Sequence, residues 1–424
     1  MNRSEPPPRR SQALVAGAGL SGLSCAALLV ERGVDVHVIE ADDDVGGRIR
    51  TDAVDGFKLD RGFQVLLTAY DELGAHLDVD DLDLRAFRAG SMVWTGSRLE
   101  TLGDPYRNPS DVISTLGARV GSVGDKMRIA ALRRRLLATD PEECFTGPDR
   151  STQEELEALG FSAAFIDAFF RPFLGGVFLD RDLETSAKLF RYYFRCFAAG
   201  DAAVPAQGMQ RLPERLAAPL AGRISCRVRA RDVSPTSVTL DDGSVLTARH
   251  VVLAADGVEG ASLTGREPPA TKAAVTSYWV STEAPVSSPL LVLDGVGTGP
   301  VNHLAVMSSV SEAYAPDGTH LISASGIGEA AMDPRRFEAE TLQQMERWFG
   351  EEARRWTLLR TYRIPHALPR HPAGSMDRGP RPARRPDGLF VAGDHTEFGS
   401  IQGALRSGRR AAEAILADTL VRSA

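Results

Sequence analysis

At 424 residues, 43% of them hydrophobic and 25% charged, the chain is long enough to bury a large core and to form two or three globular domains. Its net charge of −7 argues against nucleic acid as the main partner. Four cysteines, Cys25, Cys144, Cys196 and Cys226, show neither Cys-x-x-Cys spacing nor histidines at metal-ligand intervals. They read as reduced, buried thiols of a cytoplasmic protein without a metal site. Residues 1–10, with three prolines and a closing Arg9-Arg10, are expected to be a disordered tail. The uncharged stretch from Ser11 to Val30 is too rich in glycine and serine for a membrane span. Peripheral membrane contact stays open, as does the oligomeric state.

The first predicted elements form one unit. Leu14-Val15 end a buried strand, Gly17-Ala18-Gly19-Leu20-Ser21-Gly22 make a Gly-x-Gly-x-x-Gly turn, and Ser24 to Arg32 continue as a helix that Gly33 ends. Gly17 permits the tight turn, Gly19 lets backbone approach a pyrophosphate, and Gly22 lets helix and strand pack closely. The helix N-terminus offers N–H groups to the phosphates. Val36-His37-Val38-Ile39 form a second strand ending in Glu40, about 20 residues on and placed to accept a ribose hydroxyl. Ala41 follows, and then Gly46-Gly47-Arg48, where two glycines let the backbone bend over a cofactor and arginine adds a cation.

These motifs, joined by Gly56 to Val65, Val204 to Pro213, Gly393-Asp394 and Ser400 to Arg409, resemble the flavin-dependent amine oxidase superfamily. Its members include monoamine oxidases, protoporphyrinogen oxidases and plant-type phytoene desaturases. The resemblance implies an α/β fold: a Rossmann-like FAD-binding domain (11–75, 205–262 and 380–424) interleaved with an α+β substrate domain (76–204 and 263–379). It also implies that Gly62, Phe63 and Gln64 pass under the flavin ring, that Val228 lies near the adenine, and that Ala254 ends a strand against the cofactor. Asp394 would hydrogen-bond the ribityl chain. The amides of Ile401, Gln402 and Gly403, with Ala404 beyond, would head a helix that stabilises negative charge on the flavin. No cysteine follows Cys226, so FAD bound non-covalently is expected.

Between these segments, residues 110–200 read as helical, with amphipathic spacing in Lys126 to Leu137 and Thr152 to Phe173. The stretch 161–197 holds eleven aromatics, among them Phe161, Phe165 and Phe169 at every fourth position. Core packing explains any one ring; the density suggests the wall of an apolar tunnel. Val228 to Val233 and Ser237 to Leu240 alternate as antiparallel strands, Asp241-Asp242-Gly243 signals a hairpin, and His250 to Ala255 is a buried strand. From 263 to 379 a mixed sheet is expected: Ala274 to Val280, Leu290 to Leu293, His303 to Met307 and His320 to Ser325 as strands, and Pro334 to Phe349 as an amphipathic helix. Leu389 to Ala392 is a last strand and Gln402 to Thr419 a last helix.

The implied chemistry is transfer of a hydride equivalent from a substrate carbon to flavin N5, with oxygen or a quinone as final acceptor. Lys272 is a candidate for a lysine that, in amine oxidases, reaches a water at flavin N5; its alternative is a solvated lysine after Pro268-Pro269. His366 is a further candidate, with His371 and His395, because their segments approach the flavin. Monoamine oxidases place an aromatic in the C-terminal motif where this chain has Ser400, which argues against an ordinary primary amine. A small lipophilic substrate of isoprenoid, polyene or porphyrinogen kind is expected. An amine oxidase for secondary or polyamine substrates and a non-catalytic flavin-binding protein are the alternatives.

Overall fold

Continuous apolar runs build the first sheet. In the computed structural model, which describes residues 6–328 and 333–423, the strand Val36–Glu40 is buried along its whole length, as a parallel strand covered on both faces must be. The sheet runs Ile224–Cys226, Val36–Glu40, Arg10–Ala16, Val245–Leu253, Ser237–Leu240, Ala230–Val233, and Phe390–Val391 pairs with the far end of Val245–Leu253. The central pairings are parallel, with helix Leu20–Glu31 crossing from the first strand to the second. Asp241-Asp242-Gly243 turns between two antiparallel strands, and Gly243 takes the positive φ of +82° that the turn requires. The expected tail is shorter than residues 1–10: Arg10 registers with Thr247, whose N–H donates to the Arg9 carbonyl at 3.0 Å. Residues 1–5 lie outside the described residues.

A second seven-stranded sheet runs Thr357–Pro369, Thr271–Ser281, His320–Ile327, His303–Val306, Leu291–Asp294, Gly90–Trp94, Leu99–Gly103. Its pairings are antiparallel except Leu291–Asp294 with Gly90–Trp94, which makes it the expected mixed sheet. The hairpin at 90–103 and the 13-residue strand Thr357–Pro369 were not expected. Helix Pro334–Phe349, with Asp333 as its N-cap, sets Phe337, Met345 and Trp348 into a core with Trp94 and Trp279.

The helical region departs from expectation at 152–173. No single amphipathic helix spans it. Thr152–Ala158 stops at Gly160, whose φ is +80°, and Ser162 restarts the chain by capping the Phe165 N–H. A π-helical turn at Ile166–Phe170 leads into Arg171–Phe178. Phe161, Phe165, Phe169 and Phe173 nevertheless stack in sequence at centroid spacings of 5.9, 5.3 and 5.6 Å. The ladder is core, not tunnel wall. Of the eleven aromatics, Tyr193 and Phe197 reach the large cavity described below.

One buried acid pins three segments together. Asp60 ends the hairpin Thr51–Val54 and Phe57–Asp60 and is fully inaccessible. It accepts from Thr51 Oγ1 at 2.5 Å, Met209 N at 2.9 Å and Tyr314 OH at 2.8 Å, while Tyr278 OH donates to its carbonyl at 2.9 Å. Burial pushes the carboxyl up to about 6, against the pull of those donors. A carboxyl raised in the folded state binds its proton more tightly there than when unfolded, so this group's stabilisation is lost as pH rises through about 6. Asp60→Asn removes that dependence. Between pH 4 and pH 7 the variant is expected to gain up to about 3 kcal/mol relative to the parent chain, read by urea unfolding at each pH.

Candidate functional site

The Gly-x-Gly-x-x-Gly turn is shaped by what a side chain would strike. Gly17, at φ +114°, has its missing Cβ 2.6 Å from the Ala254 carbonyl, and Gly22 has its own 2.0 Å from the Gly17 carbonyl. Helix, first strand and the end of Val245–Leu253 thus close to backbone contact. Gly19 differs: a Cβ there meets nothing within 4 Å. It opens on a cavity of about 540 Å³.

The cavity wall draws on distant parts of the chain. Gly17, Gly19, Leu20, Ser21, Glu40, Ala41, Gly46, Gly47, Arg48, Gln64, Val228, Ala254, Gly393, Asp394, Ile401 and Ala404 all line it. Five other expected residues stand behind or beside it. Ala18 donates its N–H to Glu40 Oε2 at 2.7 Å, and Gly22 is the packing contact just described. Gly62 lines an adjoining cavity of about 270 Å³ that shares Gly47, Arg48 and Gln64. Phe63 turns its ring onto His303, 4.7 Å between centroids. The Gln402 amide oxygen is spent on Glu72 N at 3.1 Å.

Charge at the site is closely managed. Glu40 accepts from Ala18 N and from Asp42 N at 2.9 Å, and its remaining lone pairs suit a ribose hydroxyl. Arg48 donates to Asp394 Oδ1 at 2.7 Å and to the Ala367 carbonyl at 2.8 Å. Burial works against its charge, and Asp394 more than compensates, so the guanidinium is held charged. The cation expected near phosphates is therefore tied to the acid expected near the ribityl chain. Of the three helix-heading amides, that of Gly403 is taken by Ser400 Oγ at 2.8 Å. Ser400 is the N-cap of Ile401–Ser423, a role its sequence signal, a serine before a helix, already allowed.

The catalytic candidates fall outside the cavity wall. Lys272 pairs its ammonium with Asp180 Oδ2 at 2.8 Å, and Asp180 also accepts from Thr185 N and Oγ1. Lys272 thus fastens the strand Thr271–Ser281 to the turn before helix Ala187–Ala199. His366 is an exposed partner of Thr271 Oγ1, 2.9 Å from Nδ1. His371 Nε2 accepts from Gly399 N at 3.2 Å, so it supports the turn before Ser400. Burial lowers His371 to about 4 and lowers His395 as well; both rings are neutral at neutral pH.

Sequence reasoning missed Tyr193. The aromatic absent at position 400 is supplied from helix Ala187–Ala199: Tyr193 donates to the Gly399 carbonyl at 2.7 Å and lines the cavity beside Ser400. Phe197, one turn on, lines it too. The signal was available only as one ring among eleven. A flavin nucleotide fits this wall: the turn leaves open space over Gly19, and Gln64, whose buried Oε1 has no hydrogen-bond partner, lines the cavity.

Residues 20–416 match the family of flavin containing amine oxidoreductases. Protoporphyrinogen oxidase 2 of Arabidopsis thaliana is 30% identical over 162 residues, 38% of this chain and 31% of that protein. The phytoene desaturase of Neurospora crassa is 35% identical over 95 residues, 20% of this chain and 16% of that protein. The matches thus span about a third or less of these curated relatives. A putrescine oxidase variant superposes with a TM-score of 0.73 at 20% identity, over 96% of this chain and 99% of that one, a likeness of fold.

Gly19→Val tests the cradle. The backbone there is extended at φ −73°, so valine is tolerated and its side chain enters the cavity. Flavin affinity is expected to fall at least about tenfold, by fluorescence titration, as for other clashes with a buried ligand. The thermal transition of the flavin-free protein should stay unchanged; unaltered affinity would remove Gly19 from the site.

Proposed function

The chain belongs to the flavin-containing amine oxidoreductases, and on that premise we propose that it is an FAD-dependent oxidoreductase that takes a hydride equivalent from a lipophilic substrate of isoprenoid, polyene or porphyrinogen kind. The observation that carries this reading is the distribution of charge along the cavity. Its carboxylates are Glu40, Asp42, Asp256, Glu259 and Asp394. Glu40 and Asp394 are bonded as above, Asp256 caps a helix through Val258 N and Glu259 N, and Glu259 lies 3.6 Å from Arg229. The wall formed by Leu67, Tyr70, Val177, Tyr193 and Phe197 carries no carboxylate. An ammonium substrate would lack a counter-ion there, and an apolar one would lose nothing by leaving water.

Bound flavin supplies the hydride acceptor. The chain supplies the rest: Gly17, Gly19 and the helix start at Leu20 hold a pyrophosphate, Glu40 a ribose, and the Arg48–Asp394 pair a fixed polar edge. Tyr193 and Phe197 exclude water and orient the substrate. The four cysteines are buried and none lines the cavity, which favours a non-covalent cofactor. Oxygen or a quinone would accept the electrons.

The second reading, an amine oxidase, draws on the same two rings, since paired aromatics also flank amines. Anaerobic titration separates the two. Loss of the flavin band near ~450 nm on adding a polyene or porphyrinogen, with putrescine and secondary amines inert, is the expected result. Bleaching by amines alone would replace the first reading with the second.

A further inference from the structure

The outer face of residues 106–137 is unlike the rest of the surface. Seven of the nine exposed large apolar side chains among the described residues fall in this stretch, with Ile113 at 85% and Met127 at 69% exposure. Val123 and Met127 lie one turn apart on the outward side of helix Val123–Leu137, opposite the buried Asp125, Leu132 and Leu136. Lys126 Nζ donates to the Leu116 and Ala118 carbonyls at 3.2 and 2.6 Å, which draws this helix against the end of Asp111–Gly117 and its exposed Ile113 and Leu116. Arg133 lies 4.7 Å over the Tyr106 ring and brings that residue to the same helix.

The charge of the stretch is as distinctive. It holds seven arginines and lysines and two acids, a local net charge of +5 in a chain of −7. Both acids are buried: Asp111 pairs with Arg88 and Asp125 forms the helix capping box. Arg119, Arg128, Arg134 and Arg135 are exposed. We propose that this face docks on a lipid surface rich in anionic headgroups, the apolar side chains entering the interface and the arginines meeting the headgroups.

The chemistry fits that occupant better than others. Exposed apolar side chains interleaved with cations on one face suit an interface with anionic headgroups. None of the described helices is long and apolar enough to cross a membrane. A second copy packed on this face by two-fold symmetry would set cations against cations. The face also lies next to the cavity wall. Arg107 Nη2 donates to the Phe197 carbonyl at 3.0 Å and Arg133 Nη2 to the Ala198 carbonyl at 3.1 Å, so the docking helix sits directly on the end of the helix whose Phe197 lines the cavity. A bilayer there would present lipophilic molecules close to that wall.

The test reads partitioning, not turnover, and so is independent of the substrate assigned above. The full chain is sedimented with vesicles of phosphatidylcholine alone or mixed equally with phosphatidylglycerol. Pelleting with the anionic vesicles, weakened by added salt, is expected. Ile113→Ser/Met127→Ser and Arg134→Glu/Arg135→Glu should each lower partitioning at least about tenfold while leaving the thermal transition unchanged. Failure to pellet with anionic vesicles, or pelleting equal in the parent and both variants, overturns the proposal. A dimer in solution that both variants split into monomers assigns the face to a second copy and overturns it equally.

Discussion

An ion pair between residues 346 positions apart closes the chain on itself. Arg48 stands just past the first two strands and Asp394 just before the last helix, and their 2.7 Å contact lies within the cavity wall. Asp394 is buried and Arg48 half-buried, so losing the arginine would leave a buried charge uncompensated. The neighbouring elements also meet by other means. Gly408 on the last helix approaches the first helix so closely that a Cβ would lie 2.0 Å from Ser24 Oγ, and Ser407 Oγ donates to Ser21 Oγ at 3.2 Å. Between them, residues 224–253 return to the first sheet, while the segments on either side build the second sheet and the helical layer.

The local parts of this arrangement were legible in the sequence because local physics decides them. Glycine spacing, the run Val36 to Glu40 and the Asp333 cap before Pro334 each act within a few residues. The pairing of Gly90–Trp94 with Leu291–Asp294, 200 positions away, has no such signal. Nor does the Lys272–Asp180 pair: either residue alone reads as solvated, and only the packing of a helix turn against a strand makes them partners. Asp60 sat inside a recognised loop motif, yet its three donors come from Thr51, Met209 and Tyr314. The same applies at the cavity. Residue 400 was read as a missing aromatic, and the ring arrives from another element, as Tyr193. Sequence identified what the backbone does at the cradle; tertiary contact decides which side chains face the opening.

The aromatic segment carries the same lesson in energetic form. Eleven rings in 37 residues suggested a tunnel, but stacked phenylalanines satisfy one another and need no ligand. The rings that serve the cavity are those held at its edge, Tyr193 by the Gly399 carbonyl and Phe197 at the end of its helix. Between them and the bonded carboxylates the cavity divides into a polar part and an apolar part. That division is the ground of the lipophilic substrate proposed above.

In the reading proposed here, two remote segments, Gly17 to Arg48 and Gly393 to Ala404, together hold a dinucleotide flavin. The most direct measurement is to denature the purified protein and identify the released chromophore by chromatography and mass. FAD at about one per chain, released without proteolysis because it is not covalently attached, is the predicted result. FMN, or no flavin even after incubation with FAD, would contradict the account, for then nothing would occupy the pyrophosphate turn at Gly19.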